Sequence, residues 1–132
     1  MAYLLDTNVF IALIVRDDRA IRRRFQVHRR DVVLSAIVLH ELYFGAYDSV
    51  RRQEALDVIR QTELPILDFD AEDARAAAEI RAGLKRKGTP IGPYDVLISG
   101  QAMARGLIVV TANKGEFERV DGLKVEDWTA DE

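Results

Sequence analysis

Apolar and polar positions along the chain switch between two periods. Tyr3-Leu4-Leu5 runs straight into Asp6-Thr7-Asn8, a short buried strand followed by an abrupt polar turn. From Thr7 or Asn8 a helix follows, carrying Val9, Ile11, Leu13, Ile14 and Val15, apolar on nearly all sides and therefore expected to be buried. Asp17-Asp18 opens a basic helix over Arg19 to Val27 with Ile21 and Phe25 as its seam. Asp31 to Leu34 predicts a second strand, and Ser35 caps a helix running through Gly45. Gly45 inside that helix, at a propensity cost of ~1 kcal/mol, suggests close approach by a neighbouring element.

A helix over Val50 to Gln61 comes next, with Ala55, Leu56, Val58 and Ile59 as its seam. Leu64 to Leu67 is strand-like, and Pro65 assigns it to an edge. Asp70 caps a long helix, Ala71 to Lys87, with Ala74, Ala77, Ala78, Ile80 and Leu84 on its packing side, and Gly88 ends it. A rigid turn, Thr89 to Asp95, leads into a helix that closes at Gly106. Leu107 to Thr111 is apolar and rich in β-branched residues, as in a central parallel strand covered on both faces. Ala112 to Phe117 forms its exit turn, Leu123 to Glu126 a last strand, and Trp128 folds back on the core. Five strands alternating with about six helices predict a three-layer α/β/α domain with a parallel sheet and right-handed crossovers.

At 132 residues, 48% hydrophobic and 31% charged, the chain fits one globular domain, residues 1–132. With no cysteine, disulfides, thiolate metal sites and thiol nucleophiles are excluded, and with only His28 and His40 a zinc site of two or more histidines is not expected. His40 reads as an ordinary surface side chain. Any metal would be held by oxygen, which points to magnesium or manganese. The net charge of −3 lacks the basic excess usual in nucleic-acid binders. Local clusters remain at Arg22-Arg23-Arg24, Arg29-Arg30, Arg51-Arg52 and Lys85-Arg86-Lys87. The run Val9 to Val15 is too short to span a membrane and lacks the flanks of a signal peptide, so a cytoplasmic location is the expectation.

The acids carry the chemistry. Asp6 follows the first strand, where by itself an Asp is most often a helix N-cap, but it also stands at the ligand-binding edge of a parallel sheet. Glu41 stands in the most apolar part of its helix, where a metal ion shared with other carboxylates, or an arginine, would offset its burial. Asp95 lies in the first turn of its helix behind Pro93, and the turn from Thr111 to Glu116 leaves the most strand-like segment.

Assembled, these residues resemble a PIN-domain ribonuclease, and within that family the VapC toxins of VapBC toxin–antitoxin pairs. Four pieces carry the resemblance: Tyr3 to Asn8, Leu34 to Ala46, Gly88 to Asp95 and Gly106 to Phe117, with Val125 to Trp128 closing the tail. The resemblance implies a short parallel sheet of order 3-2-1-4-5 and an acidic cluster on Asp6, Glu41 and Asp95. The family's fourth acid follows strand four. Here Asn113 stands where many relatives have Asp, and Glu116 is favoured as the fourth ligand with Asn113 as its polar partner. Thr7, Asn8 and Thr111 are then expected to orient the carboxylates.

The implied activity is hydrolysis of RNA phosphodiesters by a metal-activated water with Mg2+, for which Mn2+ could substitute. The implied partners are transfer RNA, a VapB-type antitoxin docking on the first two helices, and a second copy of the chain. Two other readings compete. One is a PIN-fold module that binds RNA or antitoxin without cutting. The other is an α/β domain phosphorylated on Asp6, in which Lys114 would bind phosphate, although the second acid that such sites commonly carry two residues on is here Asn8.

Overall fold

The computed structural model describes residues 2–129; residues 1 and 130–132, included in the expected domain 1–132, lie outside the described residues. Five strands form one sheet: β1 (Tyr3–Leu5), β2 (Val32–Ser35), β3 (Ile66–Leu67), β4 (Ile108–Val110) and β5 (Lys124–Glu126). Their order is β3-β2-β1-β4-β5 and every pair is parallel, as the resemblance implied. Successive residues of a strand face opposite sides of the sheet. Leu4 and Leu5 in β1 and Val109 and Val110 in β4 are all fully buried, so both faces of the sheet centre are covered.

The helices are α1 (Thr7–Ile14), α2 (Arg19–His28), α3 (Ala36–Tyr47), α4 (Arg52–Arg60), α5 (Ala71–Lys87), α6 (Pro93–Arg105) and α7 (Lys114–Phe117), with a 3-10 turn at Arg29–Asp31. Their ends follow local chemistry. The side chains of Asp18, Ser35 and Asp70 accept the amides of Ile21, Ile37 and Asp73. Asp73 returns the bond to the Asp70 amide, completing a capping box. Gly88 and Gly106 terminate α5 and α6 with φ of 72° and 66°, a region open to glycine. Pro65 flanks β3, which pairs only with β2 and is thus the edge. Trp128 is fully buried beside Tyr3 and His28, with ring centroids 5.4 and 5.6 Å away, and its indole N–H donates to Glu126.

Four expectations need correction. Helix α1 is not buried all round: its C-terminal end leaves Ile14 45% and Val15 63% exposed. Gly45 meets nothing within 4 Å of where a Cβ would stand, so no neighbour approaches it. The close approach is at Gly100, whose added Cβ would fall 2.5 Å from the backbone of Ala77. On α5, Ala74 and Ala78 are exposed, whereas Ala76, Ala77 and the acid Asp73 are buried. The segment after β4 is not a plain turn, because Lys114–Phe117 closes into α7, making seven α-helices among the described residues.

Asp73 is buried at the α5–α6 contact because two groups of α6 meet it. Arg105 donates to both carboxylate oxygens, at 3.2 and 2.8 Å, and Gln101 donates to one at 3.3 Å. Among the described residues no helix is long and apolar enough to cross a membrane.

Candidate active site

Parallel register brings the ends of β1 and β4 together. Leu5 pairs with Val110, and the Asp6 amide donates to the Val110 carbonyl at 3.0 Å. Asp6 and Thr111 are therefore neighbours at the point where strand order reverses, the general location of ligand sites in such sheets. The Asp6 carboxylate is divided between two tasks. One oxygen caps α1 by accepting the Val9 amide at 2.9 Å, and the other accepts the Thr111 hydroxyl. Both readings of Asp6 made from the sequence thus apply to the same side chain. Burial pushes its carboxyl up, the Thr111 and Val9 hydrogen bonds pull it back, and the charge of Glu41 adds to the rise; the net direction is upward.

Glu41 reaches the same end of the sheet from α3. It is half-buried, and its Oε1 accepts the hydroxyl of Thr7, the first residue of α1, at 2.9 Å. Thr7 and Thr111 thus each hold a different acid. Asn8 turns its side chain outward to solvent, while its backbone N–H favours the charged form of Asp6.

Asp95 and Glu116 meet over Gly92. A Cβ on Gly92 would lie 3.4 Å from Glu116 Oε1 and 3.5 Å from Asp95 Oδ2, and the Gly92 amide donates to Glu116 Oε1 at 2.5 Å. Asn113 donates its side-chain amide to Glu116 Oε2 at 2.6 Å and its backbone amide to Thr111 Oγ1 at 2.9 Å. These donors, Gly92 first and Asn113 second, hold the Glu116 carboxyl below its ordinary range. Asp95 goes the other way, to about 7. Burial is the largest cause, followed by the charges of Glu116 and Asp6, a hydrogen bond shared with Glu116, and the charge of Glu41.

Of the four acids named from the sequence, Asp6, Glu41 and Glu116 therefore all act on Asp95. Sequence reasoning missed Gly92. Its position between Pro90 and Pro93 marked a rigid turn, but nothing in the sequence placed that turn against the acid after β4. Lys114, the cation needed by a phosphorylated-Asp6 site, instead stands 3.7 Å from Glu118. Of the basic clusters, Arg22 is paired with Asp17 and Lys87 with Asp121.

The donor set suits a hard divalent cation: four carboxylates, amide and hydroxyl groups, and no sulfur or imidazole. Among the described residues no three acids or histidines close into a cage ready to hold a metal. Magnesium is ordinarily bound by one or two carboxylates with several waters retained, so an open cluster fits it better than a cage would.

A cleft of about 430 Å³ opens beside Glu41, walled mainly by apolar side chains of α1, α3 and α4, including Phe10, Ile11, Val15, Leu42 and Ile59. Gly45 lies on its wall. The glycine thus leaves open space instead of admitting a neighbouring element.

The PIN domain family model matches residues 3–123. The tRNA(fMet)-specific endonuclease VapC of Salmonella typhimurium is 43% identical over 130 residues, covering 97% of this chain and 98% of that one. Ribonuclease VapC2 of Haemophilus influenzae is 37% identical over 130 residues, with the same coverage. Among solved structures, DNA-bound VapBC from Salmonella typhimurium aligns with a TM-score of 0.92 at 43% identity, over 97% of this chain and 98% of that chain. VapBC-1 from nontypeable Haemophilus influenzae gives 0.89 at 28% identity, over 98% and 100%. The chain belongs to the PIN-domain family, and within it to the VapC ribonucleases, the toxins of VapBC toxin–antitoxin pairs.

Proposed function

We propose that this ribonuclease cuts transfer RNA, holding Mg2+ (or Mn2+) among Asp6, Glu41, Asp95 and Glu116. The observation that carries the reading is geometric: Asp6 and Thr111 meet at the ends of β1 and β4, Glu41 is held by Thr7 at the start of α1, and Asp95 and Glu116 converge over Gly92. Burial and the charges of the neighbouring acids raise the Asp95 carboxyl accordingly, to about 7. Carboxylates crowded in this way repel one another until a proton or a cation is shared among them. A bound divalent cation would supply that charge, activate a water and stabilise the oxygens of the phosphodiester under attack.

The chain's own groups do the rest. Asp6 and Asp95 are the direct or water-bridged ligands, and Glu41 orients the water that attacks. Glu116 completes the cluster, held by Gly92 and Asn113. Without a cation, Asp95 carries a proton below about pH 7, beside Glu116. Thr7 and Thr111 restrict Glu41 and Asp6 to single positions, so less rearrangement is needed at each turnover.

Transfer RNA is the substrate class because full-length similarity links the chain to an endonuclease named for tRNA(fMet). The related structures are VapBC complexes, and a VapB-type antitoxin is the proposed partner here. Exposed Ile14, Val15 and Val27 on α1 and α2 offer it an apolar footing. A homodimer and a single domain over 1–132 complete the reading.

The test is cleavage of purified total transfer RNA by antitoxin-free protein, with Mg2+ or Mn2+ against chelator and wild type against Asp95→Asn. Discrete, metal-dependent fragments absent with Asp95→Asn are expected. Cutting that persists in chelator, or that survives the substitution, would remove the proposed role of the cluster. Intact RNA under every metal condition would remove the proposed substrate.

A further inference from the structure

Two aromatic rings meet at the rim of the acid cluster. Tyr94 precedes Asp95 at the start of α6, and His40 precedes Glu41 on α3. Although 54 positions apart, the Tyr94 hydroxyl and His40 Nε2 lie 3.4 Å from each other, and the ring centroids are 5.8 Å apart at a tilt of 43°. Both side chains are exposed, Tyr94 at 42%. Each ring is thus one residue from a site acid, and the pair bridges the helices that carry them. Neither ring is needed to fill the core, and neither is consumed by the carboxylate network.

We infer that the Tyr94–His40 pair is a stacking platform for a nucleobase of the RNA next to the bond that is cut. The inference rests on the RNA-cleaving reading above. The proposed cation would meet only the phosphate under attack, so the neighbouring nucleotides are left to contacts made at the rim of the cluster. Stacking on an exposed ring is such a contact, and single-stranded RNA is held in this way with little dependence on sequence. The contact between the Tyr94 hydroxyl and His40, long at 3.4 Å, keeps the two rings side by side, so a base meets a partly arranged surface. Phe44, one turn beyond His40 on α3, is also exposed and extends the aromatic surface away from the acids.

The test has two parts that fail separately. Asp95→Asn protein, unable to cut, is titrated into a single-stranded RNA dodecamer carrying 2-aminopurine, whose emission is quenched by stacking. Quenching is expected with Asp95→Asn alone and with Tyr94→Phe added, and lost when Tyr94→Leu is added. In proteins with Asp95 intact, steady-state cleavage of total transfer RNA compares wild type with Tyr94→Leu. A KM raised by roughly tenfold is expected, from the usual worth of one base–aromatic stack, with the change falling on KM rather than kcat.

Quenching that survives Tyr94→Leu, or a loss confined to kcat, overturns the platform. So does a change in the mass measured by light scattering for Tyr94→Leu, which would make the pair a contact between two copies of the chain. If wild type cuts no RNA the cleavage reading fails, while the fluorescence still decides the stacking. If the dodecamer is not bound at all the platform falls, while cleavage of transfer RNA still decides the cleavage reading.

Discussion

Thr111 donates its hydroxyl to Asp6 across 105 positions of sequence, and the other oxygen of the same carboxylate caps α1 through the Val9 amide. One side chain therefore ties the end of β4, the end of β1 and the start of α1 together. Asp6 cannot swing away from the cluster without uncapping its helix.

Removing the Thr111 hydroxyl should free Asp6 on one side while leaving the fold intact. Thr111→Ala is expected to lower metal affinity by roughly 10- to 100-fold, the usual consequence of losing a group that orients a ligand. Thr111→Ser should restore most of it. Titration calorimetry with Mn2+ measures the affinity, and an affinity unchanged in Thr111→Ala would show that Val9 alone suffices to hold Asp6.

Metal binding should depend on pH near neutrality. With its carboxyl at about 7, Asp95 carries a proton below that value, and a cation must displace it. Apparent Mn2+ affinity should rise as pH goes from 6 to 8 and then level off, with protons released on binding in the lower part of that range. Calorimetry in two buffers of different ionisation enthalpy counts those protons. A flat profile would mean that Asp95 is not among the ligands.

Gly100 is where α5 and α6 come closest, and a methyl group there would collide with the Ala77 backbone. Gly100→Ala should destabilise the protein by about 1–3 kcal/mol, the cost typical of overpacking, despite alanine's better helix propensity. Gly45→Ala, facing open space, should instead stabilise by ~1 kcal/mol through propensity. Urea unfolding of the two variants gives the comparison. Equal effects would contradict the packing described.

Acid should loosen the α5–α6 contact through Asp73. Burial alone would raise its carboxyl, but the hydrogen bonds from Arg105 and the Asp70 amide, with the Arg105 charge, outweigh it and leave it lowered. A carboxyl lowered in the folded state binds fewer protons there than in the unfolded chain. Its stabilisation is therefore complete above the ordinary Asp range and is lost as pH falls below about 4, through the folded value. Asp73→Asn should cost roughly 2 kcal/mol at pH 7 and progressively less towards pH 3. A cost that stays constant with pH would mean that the charge on Asp73 contributes nothing.

Sequence alone carried most of the local structure. The periods of the apolar runs marked the strands and helices, and Asp18, Ser35, Asp70, Gly88 and Gly106 marked helix ends, because a cap is chemistry between residues a few positions apart. The acids Asp6, Glu41 and Asp95 were legible as candidates for the same reason, each being an expensive or suggestively placed charge within its own segment; Glu116 was picked out of its turn through the family resemblance. Contacts between distant segments were anticipated only through the family resemblance, which put Thr7 and Thr111 among the carboxylates. Which acid each hydroxyl holds, Thr111 on Asp6 and Thr7 on Glu41, and the place of Gly92 under Asp95 and Glu116, were not legible. The close approach belongs to Gly100 and not Gly45, Asp73 is buried by groups of α6, and Tyr94 meets His40. Local pattern is set by the geometry of one helix or strand, whereas these contacts depend on how elements pack in three dimensions. Only the tertiary structure decided them.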